Sequence, residues 1–193
     1  CTLINRQDIK IYAGCEKPLK RKLITADHVH GKSGLDYEGD EIHVPKDYQI
    51  QKKHAVDFII QECLNSDEKI ILCPTGPLTN IAQAILKKPE ICKNIEKIIF
   101  MGGAAKTSGN ITPCAEFNIY VDPHAANIVL NSGIKIVMMG LDVTHKVLVD
   151  DKVINEITSI GNRASIFFRD LMEFYSRFYK KKYNVNSSPL HDP

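Results

Sequence analysis

Lys97-Ile98-Ile99-Phe100-Met101-Gly102-Gly103 is one of three segments in this chain that repeat a single design. Each segment enters on a lysine, continues as an apolar or β-branched run, and leaves through proline or glycine. The other two are Lys69-Ile70-Ile71-Leu72-Cys73-Pro74 and Lys135-Ile136-Val137-Met138-Met139-Gly140-Leu141-Asp142. Runs without polar alternation are typical of strands that are covered on both faces, as in parallel sheets. The pattern therefore predicts three strands of a parallel sheet.

Helical stretches lie between and around these strands. Helices are predicted over residues 54–64, 78–88, 123–131 and 163–183. Alternation of strands and helices with short connections favours βαβ crossovers. We therefore predict an α/β fold with a mostly parallel, Rossmann-like sheet that has helices on both faces, in a single domain over residues 1–193. The pattern is weaker before residue 50, where residues 9–12 suggest a short strand and residues 28–36 a glycine-rich loop.

Composition and charge narrow the class of protein. Hydrophobic residues make up 44% of the 193 residues and charged residues 25%, as in ordinary soluble globular proteins. The net charge of +2 comes from basic and acidic residues mixed along the chain, so nucleic acid is not an expected partner. No apolar run approaches the roughly 20 residues that cross a bilayer, and the start lacks the features of a signal peptide. We expect a cytoplasmic protein without a membrane partner.

The cysteines and the chain ends carry further information. The six cysteines include no CxxC pair, and we interpret them as reduced, buried small hydrophobic residues. The chain starts at Cys1 without an initiating methionine and stops in the polar turn of residues 187–193. We therefore expect the sequence to be cut at both ends.

Polar residues follow all three predicted strands, where ligands bind in parallel α/β sheets, and those after the third are in Asp142-Val143-Thr144-His145. The Gly76-Pro77 turn is, on local grounds, first of all a good helix start. It also exposes the carbonyl of Thr75 to any cation that prefers oxygen ligands. After the second strand, the loop of residues 109–118 carries two amides and a carboxylate, groups that together donate to and accept from sugar hydroxyls. The length of this loop at a strand end favours binding over a simple connection.

Three further features have both an ordinary and a functional interpretation. His191-Asp192 is either a surface turn or a proton donor beside a metal-binding carboxylate, since histidine titrates near neutral pH. His30 has the same two interpretations. A tyrosine stripe recurs every four residues on the last predicted helix, at Tyr175, Tyr179 and Tyr183. Such a stripe is typical of core packing. The chain has no glycine-rich dinucleotide, phosphate-loop or serine-hydrolase motif, which disfavours a generic nucleotide-binding α/β protein.

Six segments, read together and in this order, closely resemble the inosine/uridine-preferring nucleoside hydrolase family. They are His30-Gly31-x-x-Gly34-Leu35, Gly76-Pro77-Leu78-Thr79-Asn80-Ile81-Ala82, Met101-Gly102-Gly103-Ala104, Ala115-Glu116-Phe117-Asn118-Ile119-x-x-Asp122-Pro123, Gly140-Leu141-Asp142-Val143-Thr144 and His191-Asp192-Pro193. The resemblance covers nearly the whole chain. It implies an α/β homodimer or homotetramer that uses Ca²⁺ to hydrolyse the N-glycosidic bond of ribonucleosides in nucleoside salvage.

The resemblance also implies roles for individual residues. Thr75, through its carbonyl, and Asp192 match ligands of calcium, and Asp192 also lies at the substrate. The positions that match the sugar site are Met101, Asn110, Glu116 and Asn118. The positions that match contacts to the base or its protonation are Phe117, His30, Tyr179, Tyr183 and His191. Of these, His191 and His30 have implied catalytic roles, with His191 as the acid.

The chain departs from the family pattern in three places. The N-terminal aspartate motif that supplies most calcium ligands has no counterpart, so we expect an incomplete calcium site. Residues 103–109 are one residue longer than usual, and the chain ends before the family's C-terminal elements. Two interpretations stay open: part of a catalytic hydrolase, or a truncated and inactive binding or interaction module. The absence of tryptophan disfavours the purine-only relatives and favours an inosine-uridine or uridine-leaning type.

Overall fold

The computed structural model describes Cys1, residues 4–31 and residues 49–192, with only the backbone for His28, His30, Lys182 and Tyr183. The chain divides into two compact units. The sheet unit contains residues 11–24, 50–145 and 191–193, and the helical unit contains residues 1–10, 25–49 and 146–190. The single domain over residues 1–193 stays a prediction.

A parallel sheet forms the centre of the sheet unit. Its strands are β1 (Ile70–Leu72), β2 (Ile95–Met101) and β3 (Lys135–Met139), in the order β1-β2-β3. Strands β2 and β3 pair in register from Lys97 opposite Lys135 to Met101 opposite Met139. All three strands lie within or beside the runs that the sequence predicts. The predicted α/β class with a parallel sheet is therefore confirmed.

The helices account for most of the remaining described residues. They are α1 (Asp27–His30), α2 (Ala55–Asn65), α3 (Thr79–Lys87), α4 (Phe117–Val121), α5 (Pro123–Leu130), α6 (Leu141–Thr144), α7 (Asp151–Thr158) and α8 (Arg163–Tyr183), with a 3-10 helix over Pro89–Asn94. The four predicted helices are confirmed to within one residue at each end, as α2, α3, α5 and α8. Helices α4 and α6 are single turns that the sequence analysis does not predict.

Two expectations near the N-terminus are wrong. Residues 9–12 form no strand, because only Tyr12 pairs with another segment, in an isolated bridge to Gln51. Residues 28–30 are not loop but the end of α1, which stops at Gly31, where φ is 76°. Glycine adopts this left-handed conformation without strain, which explains the stop. Residues 32–36 lie outside the described residues.

The core of the sheet unit is built from β2 and the helices around it. Ile98 and Phe100 of β2 are buried and pack in one cluster with residues of α2, α3 and α5, including Ala82 and Val129. All six cysteines are free, as predicted. Their predicted burial is wrong for Cys1, Cys73 and Cys114, which are exposed, whereas Cys63 is buried. The exposed Cys73 follows β1 directly, because this strand ends at Leu72.

The helical unit contains α7, α8 and a two-stranded antiparallel sheet of β4 (Leu148–Val149) and β5 (Ser188–Pro189). Its core cluster contains Val149, Ile154 and Met172. The side chains of Asp150 and Asn162 accept hydrogen bonds from backbone N–H groups in the first turns of α7 and α8 and so cap these helices. Among the described residues, no helix is both long and apolar enough to cross a membrane.

Candidate active site

Asn118 connects the carboxyl ends of β1 and β2. Its side-chain Nδ2 donates to the backbone carbonyl of Thr75, at 3.3 Å, and to that of Met101, at 3.1 Å. Thr75 is exposed and Met101 is only 6% exposed. The structure therefore brings three of the predicted site residues together at one end of the parallel sheet, where the strand order predicts a ligand site.

Glu116 is the buried carboxylate of this cluster. Its Oε2 accepts from the N–H of Gly103, at 2.9 Å, at the start of the loop that follows β2. Both carboxylate oxygens also accept from the N–H of Asn118, at 2.9 and 3.0 Å, so Glu116 is the N-cap of α4. This cap corrects the predicted loop, because Phe117 and Asn118 lie in the first helical turn instead of the loop. Glu116 thus joins the start of this loop, at Gly103, to the start of α4 at its end.

Asn110 lies in the same loop and contacts the same helix start. Its Oδ1 accepts from the N–H of Phe117, at 2.9 Å. The loop is compact here: a Cβ at Gly109 would lie 2.2 Å from the carbonyl oxygen of Ala115, so only glycine fits. The amide and the carboxylate predicted to bind sugar hydroxyls are therefore held by backbone contacts on either side of one tight loop.

Asp142 holds the beginning of this loop and is not among the predicted site residues. Its carboxylate accepts from the N–H groups of Ala105, at 2.8 Å, and Lys106, at 2.7 Å. These two backbone hydrogen bonds lower the pKa of Asp142 below its ordinary value. The sequence places Asp142 shortly after a strand and within a family-like segment, which does not distinguish a residue that holds the loop from a ligand.

His191 lies beside α6 within the sheet unit. Its Nδ1 is 2.9 Å from Oγ1 of Thr144, a residue that is 3% exposed. The ring of His145 approaches the ring of His191 edge-on, with 6.0 Å between centroids. The neighbouring Asp192 is exposed. The sequence analysis does not predict a role for Thr144, because threonine after a strand is also common in helix starts.

Of the predicted base contacts in the helical unit, the structure describes the side chain of Tyr179, which pairs with Tyr175. The rings of Tyr175 and Tyr179 lie 4.9 Å apart, and their hydroxyls are 3.1 Å apart. The hydroxyl of Tyr175 also donates to the carbonyl of Pro189, at 3.4 Å. The side chains of Tyr183 and His30 lie outside the described residues.

A cavity of about 520 Å³ opens beside the Gly76-Pro77 turn. Its wall includes Thr75 and Asn80 together with Cys15 and Lys17. The loop of residues 15–19 is fixed at this wall, because the N–H of Cys15 donates to Oδ1 of Asn80 at 2.8 Å. The exposed strand end at Thr75 therefore faces a space of the size that small-molecule sites have.

The described residues include two of the oxygen donors that the sequence predicts for calcium. The carbonyl of Thr75 and the carboxylate of Asp192 are hard oxygen donors, the type that calcium prefers. Calcium takes six to eight such ligands, and no group of three or more His, Cys, Asp or Glu side chains in the described ranges is placed to hold a metal ion. These residues do not form a complete calcium site by themselves.

A parallel α/β sheet with amide, carboxylate and imidazole groups at its strand ends defines an α/β protein with a small-molecule site. Within that class, the chain belongs to the family described as inosine-uridine preferring nucleoside hydrolase, whose model matches residues 1–193. The predicted family is therefore confirmed.

Related chains extend beyond the part represented here. An uncharacterized protein of Schizosaccharomyces pombe is 47% identical over 192 residues, which is 99% of this chain and 61% of the relative. A pyrimidine-specific ribonucleoside hydrolase RihA of a Shewanella species is 45% identical over 193 residues, which is all of this chain and 59% of the relative. The chain thus spans about three fifths of the length of these relatives.

Solved structures show the same fold. A purine-preferring ribonucleoside hydrolase from Gardnerella vaginalis matches all of this chain and 61% of its own, with a TM-score of 0.91 and 33% identity. A plant nucleoside hydrolase also matches all of this chain and 60% of its own, with a TM-score of 0.91 and 31% identity. The predicted α/β nucleoside hydrolase fold is confirmed by both.

Proposed function

We propose that this chain carries the sugar-binding part of a ribonucleoside hydrolase, which splits the N-glycosidic bond with water to give ribose and a free base. The observation that carries the proposal is the cluster of Asn110, Glu116 and Asn118 at the carboxyl ends of β1 and β2. Family membership supports it. The related proteins include a pyrimidine-specific and a purine-preferring ribonucleoside hydrolase.

The reaction requires a site that holds the sugar firmly. Cleavage of a glycosidic bond passes through an oxocarbenium-like transition state, so the sugar needs hydrogen bonds that strengthen as positive charge develops. Glu116 is suited to this task because a carboxylate has about four lone-pair positions, and backbone N–H groups already fix its orientation. Asn110 has its Oδ1 fixed by the N–H of Phe117, which leaves its amide N–H₂ to donate to a hydroxyl.

The departing base needs a proton. We assign this step to His191, which donates from Nε2 while Nδ1 stays in contact with Thr144. A positioned acid of this type contributes about 10²- to 10⁴-fold to a rate. We also propose His30, Phe117, Tyr179 and Tyr183 as contacts to the base, Met101 as a wall of the sugar pocket, and Asp192 as a further substrate contact.

We propose calcium as the metal of the complete site, with the Thr75 carbonyl and Asp192 as two of its ligands. When bound, calcium would orient the sugar diol and acidify a water molecule. No step is assigned to it here, because the described residues supply too few ligands. A homo-oligomer, a cytoplasmic location and a preference for uridine or inosine are parts of the same proposal.

An inactive binding or interaction module is the second candidate. The incomplete set of calcium donors among the described residues favours it. Both candidates share the sugar contacts, so both should bind ribose. Only the hydrolase should release ribose from a nucleoside, and ribose release therefore separates them.

Ribose release from uridine and inosine tests the proposal, with the chain assayed in calcium and in a chelator. Calcium-dependent release would mean that the calcium site is completed in solution, and kcat/KM should then fall by about 10- to 100-fold in Asn110→Ala, the effect of one lost hydrogen bond to a developing charge. The matched control is Asn155→Ala, because Asn155 is an exposed residue of α7. Ribose binding without release would favour the binding module. If the chain neither binds ribose nor releases it, both candidates are contradicted.

A further inference from the structure

Thr144 presents a buried hydroxyl to His191. The Oγ1 to Nδ1 distance is 2.9 Å, and Thr144 is 3% exposed. The N–H of Thr144 donates to the carbonyl of Gly140, at 3.1 Å, so the residue is fixed in the single turn of α6. This hydroxyl therefore has a defined place beside the ring, unlike a surface threonine.

Helix α6 is itself tied to the sugar-binding loop. The N–H of Leu141 donates to the carbonyl of Gly103, at 2.9 Å, and a Cβ on Gly140 would lie 2.7 Å from the same oxygen. The N–H of Gly103 in turn donates to Glu116. A short chain of contacts thus fixes Thr144 relative to the carboxylate that is proposed to hold the sugar.

The chemistry of imidazole determines the direction of the contact. When the ring is charged, both ring nitrogens carry protons, so the Thr144 hydroxyl can only accept from Nδ1–H. When Nε2 then gives up its proton, the same contact keeps the ring in the Nδ1–H tautomer. In the opposite tautomer, Nε2–H, the Nδ1 atom that faces Thr144 carries no proton, so the contact would have to run from the Thr144 hydroxyl to Nδ1.

We propose that Thr144 is a positioning residue: it accepts a hydrogen bond from Nδ1–H of His191 and thereby orients the ring and reserves Nε2 for proton transfer to the leaving base. The proton-transfer role in this inference rests on the proposed function. The contact itself does not depend on that function.

The tautomer of His191 tests the contact directly. Ring nitrogens of ¹⁵N-labelled chain are correlated with the carbon-bound ring protons at about pH 8.5, two units above the ordinary pKa of histidine of about 6.5. The chain has seven histidines, so His191→Gln assigns the signal. We expect Nδ1–H in the wild type and in Thr144→Ser, which keeps the hydroxyl. In Thr144→Val, which keeps the shape, we expect a shift to Nε2–H.

His145→Gln is the matched control, because it removes a ring that approaches His191 edge-on and keeps the Thr144 hydroxyl. It should leave the tautomer unchanged. An Nε2–H ring in the wild type overturns the proposal, and this readout needs no variant if Thr144→Val fails to fold. An unchanged tautomer in a folded Thr144→Val overturns it as well.

Turnover separates this proposal from the proposed function. In an active chain, Thr144→Val should lower kcat by about five- to tenfold and leave KM unchanged, as expected for one neutral hydrogen bond that acts on the chemical step. A tautomer shift in a chain that releases no ribose supports the contact and contradicts the function. Ribose release together with an unchanged tautomer in Thr144→Val supports the proposed function and contradicts the positioning role of Thr144.

Discussion

Asp122 is a fully buried carboxylate that joins three segments of the sheet unit. It is 0% exposed and accepts three hydrogen bonds: from the N–H of Leu19 at 2.9 Å, the hydroxyl of Thr79 at 2.8 Å and the N–H of Ala125 at 3.0 Å. A buried charge is tolerated when such donors surround it. Asp122 therefore joins the start of α3, the start of α5 and the loop of residues 15–19.

Replacement of Asp122 by asparagine should destabilise the protein by about 1–3 kcal/mol. The amide turns one acceptor into a donor, which faces either the N–H of Leu19 or that of Ala125 and leaves a buried donor without a partner. Urea unfolding followed by circular dichroism measures the change. Asp150→Asn is the matched control, because Asp150 caps α7 from an exposed position and asparagine caps equally well. Equal losses in both variants would contradict the role of the three donors.

Residue types at the candidate site were predictable, but their partners were not. Asn110, Glu116 and Asn118 follow from a polar loop after a strand together with a family resemblance. That Glu116 caps α4 depends on where the helix begins, and a five-residue helix has too few positions to show a period. Thr144 lies in a family-like segment after the third strand, but its partner was not predictable, because the contact with His191 joins residues 47 positions apart.

At the scale of elements, the short helix α6 follows β3 and makes two contacts at the candidate site. Asp142 in its first turn binds the N–H groups of Ala105 and Lys106, and Thr144 in the same turn contacts His191. One helical turn therefore contacts both the loop of residues 103–116, which is the proposed sugar-binding loop, and the proposed acid. The ionised form of Asp142 is the one that accepts both hydrogen bonds.

The contribution of Asp142 to stability should depend on pH. Its pKa is lower in the folded chain than the ordinary value of 3.8, because two backbone N–H groups favour the charged form. A lowered pKa gives stability that is present above pH 3.8 and is lost as the pH falls through the folded-state value. The free energy of unfolding of Asp142→Asn should therefore lie below that of the wild type at pH 6, and the difference should narrow below about pH 4.

Urea unfolding of both proteins between pH 3 and pH 6 checks this expectation. Asp151→Asn removes a carboxylate from the exposed start of α7 and controls for the change in net charge. A gap between Asp142→Asn and the wild type that stays constant over this range would show that the carboxylate does not hold the loop in its charged form.

Long elements were predictable and short ones were not. The runs around Ile98 and Val137 are apolar without alternation, and α8 has 21 residues with a regular stripe, so each pattern is long enough to indicate its element. Burial matches the pattern in β2, whereas Met138 and Met139 of β3 are exposed. Helix α1 was assigned to a loop, because its four residues lie next to glycines that also suit turns. In short segments, a few local hydrogen bonds outweigh the hydrophobic pattern.

At the scale of the whole molecule, the two compact units differ in their cores. The sheet unit contains a large cluster around Ile98, Phe100 and Leu78, whereas the described core cluster of the helical unit contains Val149, Ile154 and Met172. The sequence predicted one domain, since no polar or glycine-rich linker separates the units. The helical unit draws on three separate segments of the chain, an arrangement that linker composition does not reveal.

Hydrogen exchange should therefore show a graded stability. Amides of β2 are expected to exchange at the highest free energies, because this strand is central in the sheet and contributes the buried Ile98 and Phe100 to the core. Amides of α7 should exchange at lower free energies, since Ile154 is its buried residue. Native-state exchange at increasing urea measures both sets. Ile98→Val and Ile154→Val, each expected to cost about 0.5–1.5 kcal/mol, should lower protection within their own units.

The same experiment identifies which core carries the candidate site. Asn118 and Glu116 belong to the sheet unit, so the amides of α4 should lose protection in Ile98→Val. Protection of α7 equal to that of β2 would contradict the graded stability that the two cores predict. Loss of α4 protection in Ile154→Val alone would mean that the sugar-binding loop depends on the helical unit rather than on the sheet, because the stability of a site follows the core on which it is built.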